Sequence, residues 1–251
     1  MIKKFSYNEY RKIILKYKKI IKDFSKINKF TKTFCLIRHD IEFSIDRALK
    51  MAKIDNSLGI KSSFFVQVKS DCYNAISDEN IKKLKQIIKL KHYIGLHFYV
   101  SNLKKKDSIV QIELKKQIKI LELALGRKID RLSIHRPPKW ILSKKNSIFK
   151  PYINTYSNLY FEFKKNPTEI KYYADSNHRW NYGHPIDVNK FKKFQILLHP
   201  DEWSQKGMSE KENLISLIEE EKLNFISSLD KEYKTFKKYF KKEKEKKYNF
   251  F

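Results

Sequence analysis

Chemistry-bearing side chains recur in this sequence directly after short apolar runs. Arg38-His39-Asp40-Ile41-Glu42 follows Cys35-Leu36-Ile37, His97 follows Tyr93-Ile94-Gly95-Leu96, His135-Arg136 follows Leu132-Ser133-Ile134, and His199 follows Ile196-Leu197-Leu198. A short apolar run bounded by polar residues reads as a buried strand, so each cluster stands at a strand's C-terminal end, where α/β enzymes keep their reacting groups. Carboxylates and imidazoles gathered there do two kinds of work: they hold a divalent cation, and they move protons near neutrality. Taken singly, Asp40 could cap the helix that follows, and His97 could be a satisfied core histidine. The set of four is what argues for a site. His39 has the opposite strand parity to Arg38 and Asp40 and is expected to face covering helices. His92 and His184 read as loop residues.

The elements that must position these groups follow from spacing. Ser6 with Glu9 forms a capping pattern ahead of Ile13, Ile14, Tyr17, Ile20, Ile21 and Phe24, which predicts an opening helix. Further helices are predicted from Ser44 through Leu58, with Gly59 as a left-handed C-terminal residue, from Ser77, and from Ser108 with Gln111 to Gly126. Ser209 with Glu212 opens the last. Strands are predicted over 33–38, 63–68, 93–98, 131–136 and 194–200, with weaker signals over 152–163 and 170–175. Alternation of strands with helices of this length predicts βαβ units, a mainly parallel sheet and closure into a barrel.

The 251 residues, 41% apolar and 14% aromatic, suit one large α/β domain. Its core is expected over about 33–230, with a basic helical tail over 231–251 that carries Tyr233, Phe236 and Phe240 at helical spacing. The formal charge is +27, yet only seven of the 55 basic residues are arginine. Base-reading proteins lean on arginine, whereas lysine suits solvated faces. No specific nucleic-acid partner is therefore expected, and a peripheral membrane contact would fall to the tail. Cys35 and Cys72 make neither a CxxC pair nor a disulfide framework, which points to a reduced compartment. No apolar stretch approaches the roughly 20 residues of a membrane span, so a cytoplasmic protein is expected.

In order along the chain, Arg38-His39-Asp40, Ile94-Gly95-Leu96-His97, His135-Arg136-Pro137-Pro138, Tyr173-Ala174-Asp175-Ser176-Asn177-His178-Arg179-Trp180 and Leu197-Leu198-His199-Pro200 resemble the motifs of the polysaccharide deacetylase superfamily. This superfamily has NodB homology and is carbohydrate esterase family 4-like; the chain resembles a divergent branch found in surface-polysaccharide gene clusters. The resemblance implies a distorted (β/α) barrel of about seven parallel strands with helices packed outside. It also implies removal of an acetyl group from an N-acetylated or O-acetylated sugar, usually with a divalent metal, here Zn with Mn or Co as alternatives. It makes Asp40 a metal ligand or general base, His97 a metal ligand, Arg136 the residue that orients the carboxylate base, and His199 the general acid. Asp175 and Trp180 fall on the fourth motif, with Trp180 on the substrate side together with Arg38 and Glu42.

Two positions depart from that pattern. Ile41 stands where a second aspartate is usual, with Glu42 next, and no second histidine follows His97 by a turn. His135 is then the nearest third ligand. Trp140, Trp180 and Trp203 lie near the motifs and are available to stack on sugar rings or to fill the core. The expected partner is an acetylated sugar, a nucleotide-sugar or a lipid-linked glycan. Two rival readings are an inactive barrel that binds a glycan, and a basic protein that binds nucleic acid or a membrane surface.

Overall fold

Alternation along the first strand sets the plan of the molecule. All eight residues of β1 (Phe34–Ile41) are buried, as a parallel strand covered on both faces requires. Cys35, Ile37 and Ile41 join the main core against the helices, whereas Phe34 and Leu36 belong to a separate cluster with Phe24, Ile27, Tyr160 and Ile170. Arg38 and Asp40 continue that second, inner row.

The computed structural model describes residues 5–100, 103–143, 146–162 and 167–236. Around β1 it places α1 (Tyr7–Tyr17), α2 (Ile45–Ser57), β2 (Ser63–Val66), α3 (Asp78–Lys89), β3 (Tyr93–Tyr99), α4 (Asp107–Leu125) and β4 (Arg131–His135). After these come α5 (Lys139–Leu142), β5 (Ile153–Asn154), β6 (Ile170–Ala174) and β7 (Lys193–Leu198). The strands form one sheet in the order β5-β4-β3-β2-β1-β7-β6, and every neighbouring pair is parallel. The sheet curls. Gln195 on β7 donates to the carbonyls of Thr155 (2.9 Å) and Tyr160 (3.0 Å), in the segment that follows β5 at the opposite edge. The result is the distorted, half-closed (β/α) barrel of seven strands that was expected.

The floor of the barrel is closed by charge pairing. Arg131 donates to Asp23 at 2.5 Å and to Asp130 at 2.7 Å, and its guanidinium lies 4.2 Å from the Tyr93 ring centre. Burial alone would raise the Asp23 carboxyl, but hydrogen bonds and charge from Arg131 hold it below its usual range. Gly95 leaves room for this plug: a Cβ there would lie 2.6 Å from Arg131 Cγ and from the Phe65 ring.

Several local expectations shift. Ser6, Ser44 and Ser77 cap their helices through the backbone N–H three residues on, but Ser108 does not. Helix α4 begins one residue earlier, at Asp107, whose charge suits the positive helix N-terminus. The opening helix stops at Tyr17, and Phe24 sits in a separate short turn that fills the inner cluster. Strand β1 runs on through Ile41, three residues past its expected end.

The contacts divide the chain into two compact units, Met1–Met208 and Ser209–Phe251. The second contains α6 (Glu210–Glu232), which opens with the expected Ser209–Glu212 capping box. Phe240 and the expected tail from 237 onward lie outside the described residues, as does Phe163. Among the described residues no helix is long and apolar enough to cross a membrane.

Candidate active site and metal centre

Parallel pairing sets His97 on β3 opposite Ser133 on β4, and Tyr99 opposite His135. Side chains two apart on a strand share a face, so His97, Ser133 and His135 all point into the barrel, toward the end of β1. There Glu42 meets the two histidines. Its Oε1 lies 3.2 Å from His97 Nε2 and 2.9 Å from His135 Nδ1, and the two nitrogens are 3.1 Å apart. Ligand atoms bound tetrahedrally to zinc at about 2.0–2.2 Å sit about 3.3–3.6 Å from one another, and two imidazoles with one carboxylate is a donor set that catalytic zinc uses. The three side chains therefore fit a divalent cation with little movement, and they are the group of metal-binding type that converges among the described residues. Burial alone would raise the Glu42 carboxyl, but its contacts with His135 and His97 and the charge of His199 hold it far below the ordinary range.

Asp40, expected among the ligands, is engaged elsewhere. Arg38 forks onto it, with Nε 2.9 Å from Oδ1 and Nη2 2.5 Å from Oδ2, and both side chains are at most 1% exposed. Thr155 Oγ1 and Tyr156 OH accept from the outer nitrogens of Arg38, and the guanidinium lies 4.6 Å from the Tyr156 ring centre. Burial alone would raise Asp40; the charge and hydrogen bonds of Arg38 outweigh it and keep the carboxyl low. The structure thus gives Arg38 the contact with the carboxylate that the resemblance assigns to Arg136, and leaves Arg38 no surface for substrate. Arg136 is exposed, with a left-handed φ of 42°. Strand β4 ends at His135, which points inward, and Arg136 lies beyond it where the chain turns away.

A third group forms where β6 and β7 end. Asp175 accepts from the His199 backbone N–H at 3.0 Å and from His199 Nδ1 at 2.7 Å, while Trp203 Nε1 donates to Oδ2 at 2.7 Å. His199 Nε2 faces Glu42 Oε1 at 3.8 Å. Burial would lower the His199 imidazole, but Asp175 and Glu42 push it up to about 10, so at neutral pH it is an imidazolium. Trp203 is fully buried and has no face for a sugar. Trp180 is half-buried and packs on Phe5, His184 and Trp203, one ring removed from Asp175.

His39 faces outward as parity requires, with Nε2 3.2 Å from Asp55 on α2 and 3.3 Å from Tyr10 OH on α1. His92 lies in the α3–β3 loop as expected, and is buried there: it accepts from the Ser62 N–H through Nδ1 and donates to the Ala52 carbonyl. Sequence reasoning missed Ser133, which lies between Asp40 and His97; its parity with His135 was the available signal.

No family model matches the chain, and no curated protein matches it. Among solved structures, it is similar to a CE4 family pseudoenzyme from Bacillus anthracis at 15% identity, over 78% of this chain and 63% of that one, with a TM-score of 0.45. The chain spans just under two thirds of that protein's length. A family 4 acetyl xylan esterase from Clostridium thermocellum, in complex with a cobalt ion, matches at 11% identity over 76% of this chain and 84% of that one, with a TM-score of 0.40. A family 4 carbohydrate esterase from Bacillus anthracis matches at 13% identity over 84% of each chain, with a TM-score of 0.39. At 11–15% identity, what this chain does has to be argued from its own side chains. Of these three solved structures, two are family 4 esterases and one is a pseudoenzyme of the CE4 family.

Proposed function

We propose that this chain is a metal-assisted carbohydrate deacetylase acting on an acetylated sugar, nucleotide-sugar or lipid-linked glycan precursor of a surface polysaccharide, in the cytoplasm. The observation that carries this reading is the convergence of Glu42, His97 and His135 within 3.2 Å of one another, flanked by a carboxylate held anionic and an imidazole held cationic. Glu42, His97 and His135 would hold the cation, Zn or alternatively Mn or Co. When bound, such an ion polarises a carbonyl and lowers the pKa of bound water.

The other roles belong to the chain. Asp40, oriented by Arg38, accepts a proton as water adds to the acetyl carbonyl. His199 gives a proton from Nε2 to the departing nitrogen or oxygen, and Asp175 keeps the Nδ1 proton in place and balances the imidazolium charge. Two carboxylates with different neighbours thereby divide the work, Glu42 toward the cation and Asp40 toward the proton.

The test is acetate release by protein loaded with Zn, Mn or Co and incubated with UDP-N-acetylglucosamine, N,N′-diacetylchitobiose and acetylated xylan. Turnover that falls about 10²–10⁴-fold in His199→Asn supports the assignment; no acetate with any metal overturns it. One observation favours a second reading, a barrel that binds a glycan without hydrolysing it: the Asp40 oxygens already accept from Arg38 and Ser133. Metal-loaded protein that retains these sugars yet releases no acetate would establish that alternative.

A further inference from the structure

We infer that Ser133 is a positioning residue that sets the tautomer of His97, turning its Nε2 lone pair toward Glu42 and His135, and that joins this histidine to Asp40. The inference rests on the metal-centre reading above and assigns a function to a side chain that carries no chemistry of its own.

Ser133 is fully buried, and its Oγ lies 3.0 Å from Asp40 Oδ1 and 2.7 Å from His97 Nδ1. A hydroxyl has one proton to give. Asp40, forked by Arg38 on both oxygens, is a carboxylate and only accepts. The Ser133 proton therefore points to Asp40, and its oxygen accepts from His97 Nδ1–H. Asp40 Oδ2, 3.4 Å from the same nitrogen, favours the same arrangement. A neutral imidazole carries one ring proton, so placing it on Nδ1 leaves Nε2 as a lone pair, the form that binds a cation.

Without this contact the balance reverses. Glu42 Oε1 stands 3.2 Å from His97 Nε2, and an unbound carboxylate there draws the proton to Nε2, which closes the ligand position. Ser133 opposes that pull. Outer partners of ligating histidines act in this way by fixing ring orientation and tautomer, and removing one weakens metal binding by about 10–100-fold.

The experiment uses the whole chain, with Ser133→Ala and Ser133→Thr. Zn affinity is measured by competition with a chromophoric chelator, and the His97 tautomer of metal-free protein is read from ¹⁵N imidazole shifts. The expected result is Nδ1–H in the wild type, a shift toward Nε2–H in Ser133→Ala with Zn affinity about 10–100-fold weaker, and recovery of both in Ser133→Thr. Wild-type tautomer and affinity in Ser133→Ala overturn the inference. So does Nε2–H in the metal-free wild type, a readout that stands even if neither variant folds. Wild-type protein that binds no Zn overturns the metal-centre reading instead, while the tautomer measurement still decides the role of Ser133.

Discussion

Asp40 and Glu42 are two residues apart on one face of one strand end, yet the structure gives them opposite company. Glu42 sits with imidazoles and Asp40 with a guanidinium. Substitutions should separate them. In Glu42→Gln the cation site loses its only anionic donor, and bound Zn should fall below stoichiometric by metal analysis. Asp40→Asn should keep its Zn and lose about 10²–10⁴-fold in turnover. It should also unfold at lower temperature, since Arg38 would be left as a buried, uncompensated charge at about 3–5 kcal/mol. Parity made Arg38, Asp40 and the outward-facing His39 legible in the sequence. It did not show which carboxylate would reach the histidines, because that depends on β1 continuing through Ile41 and on the β3–β4 register, neither of which leaves a mark in residue type.

At the level of elements, the clear signals were those with strong local physics. Serine caps, apolar runs and the alternation of strand with helix located most of the sheet. Strand β5 was legible only as a weaker signal over 152–163, of which two residues pair: so short a strand carries no periodic pattern, and the curl that brings its following segment to Gln195 is a long-range contact. The same tight geometry makes two substitutions informative. Gly95→Ala should destabilise by about 1–3 kcal/mol by overpacking, because its methyl would meet Arg131 and Phe65 at 2.6 Å. Trp203→Phe should cost about 1–3 kcal/mol through the lost hydrogen bond to buried Asp175. Urea unfolding measures both, and a change within about 0.5 kcal/mol, typical of surface sites, would show that these contacts carry no strain or strength.

The whole molecule is strongly cationic at +27, and its floor is closed by an ion pair with a predictable response to acid. Asp23 has a folded-state pKa below its unfolded value. The stabilisation it gives is complete above the unfolded value of about 4 and disappears as pH falls through the folded one. Acid titration of stability should therefore show a loss below about pH 4 that is smaller in Asp23→Asn. The substitution itself should lower stability at neutral pH, by less than the ~3–5 kcal/mol of an unpaired buried charge, because Arg131 is 1% exposed and keeps Asp130 as a partner. Equal acid sensitivity in both proteins would move the effect to other carboxylates.

Strand β5 also bears on how the carboxylate at the centre breathes. It joins the sheet through two residues at an open edge, and edges of this kind exchange their amide protons first. Thr155 and Tyr156, immediately after it, are the hands on the far side of Arg38. Each fraying of that edge loosens the grip on Arg38 and, through it, on Asp40. Deuterium should enter Asn154–Tyr156 well before β1, and the lifetime of the closed edge would set how long Asp40 keeps a single orientation.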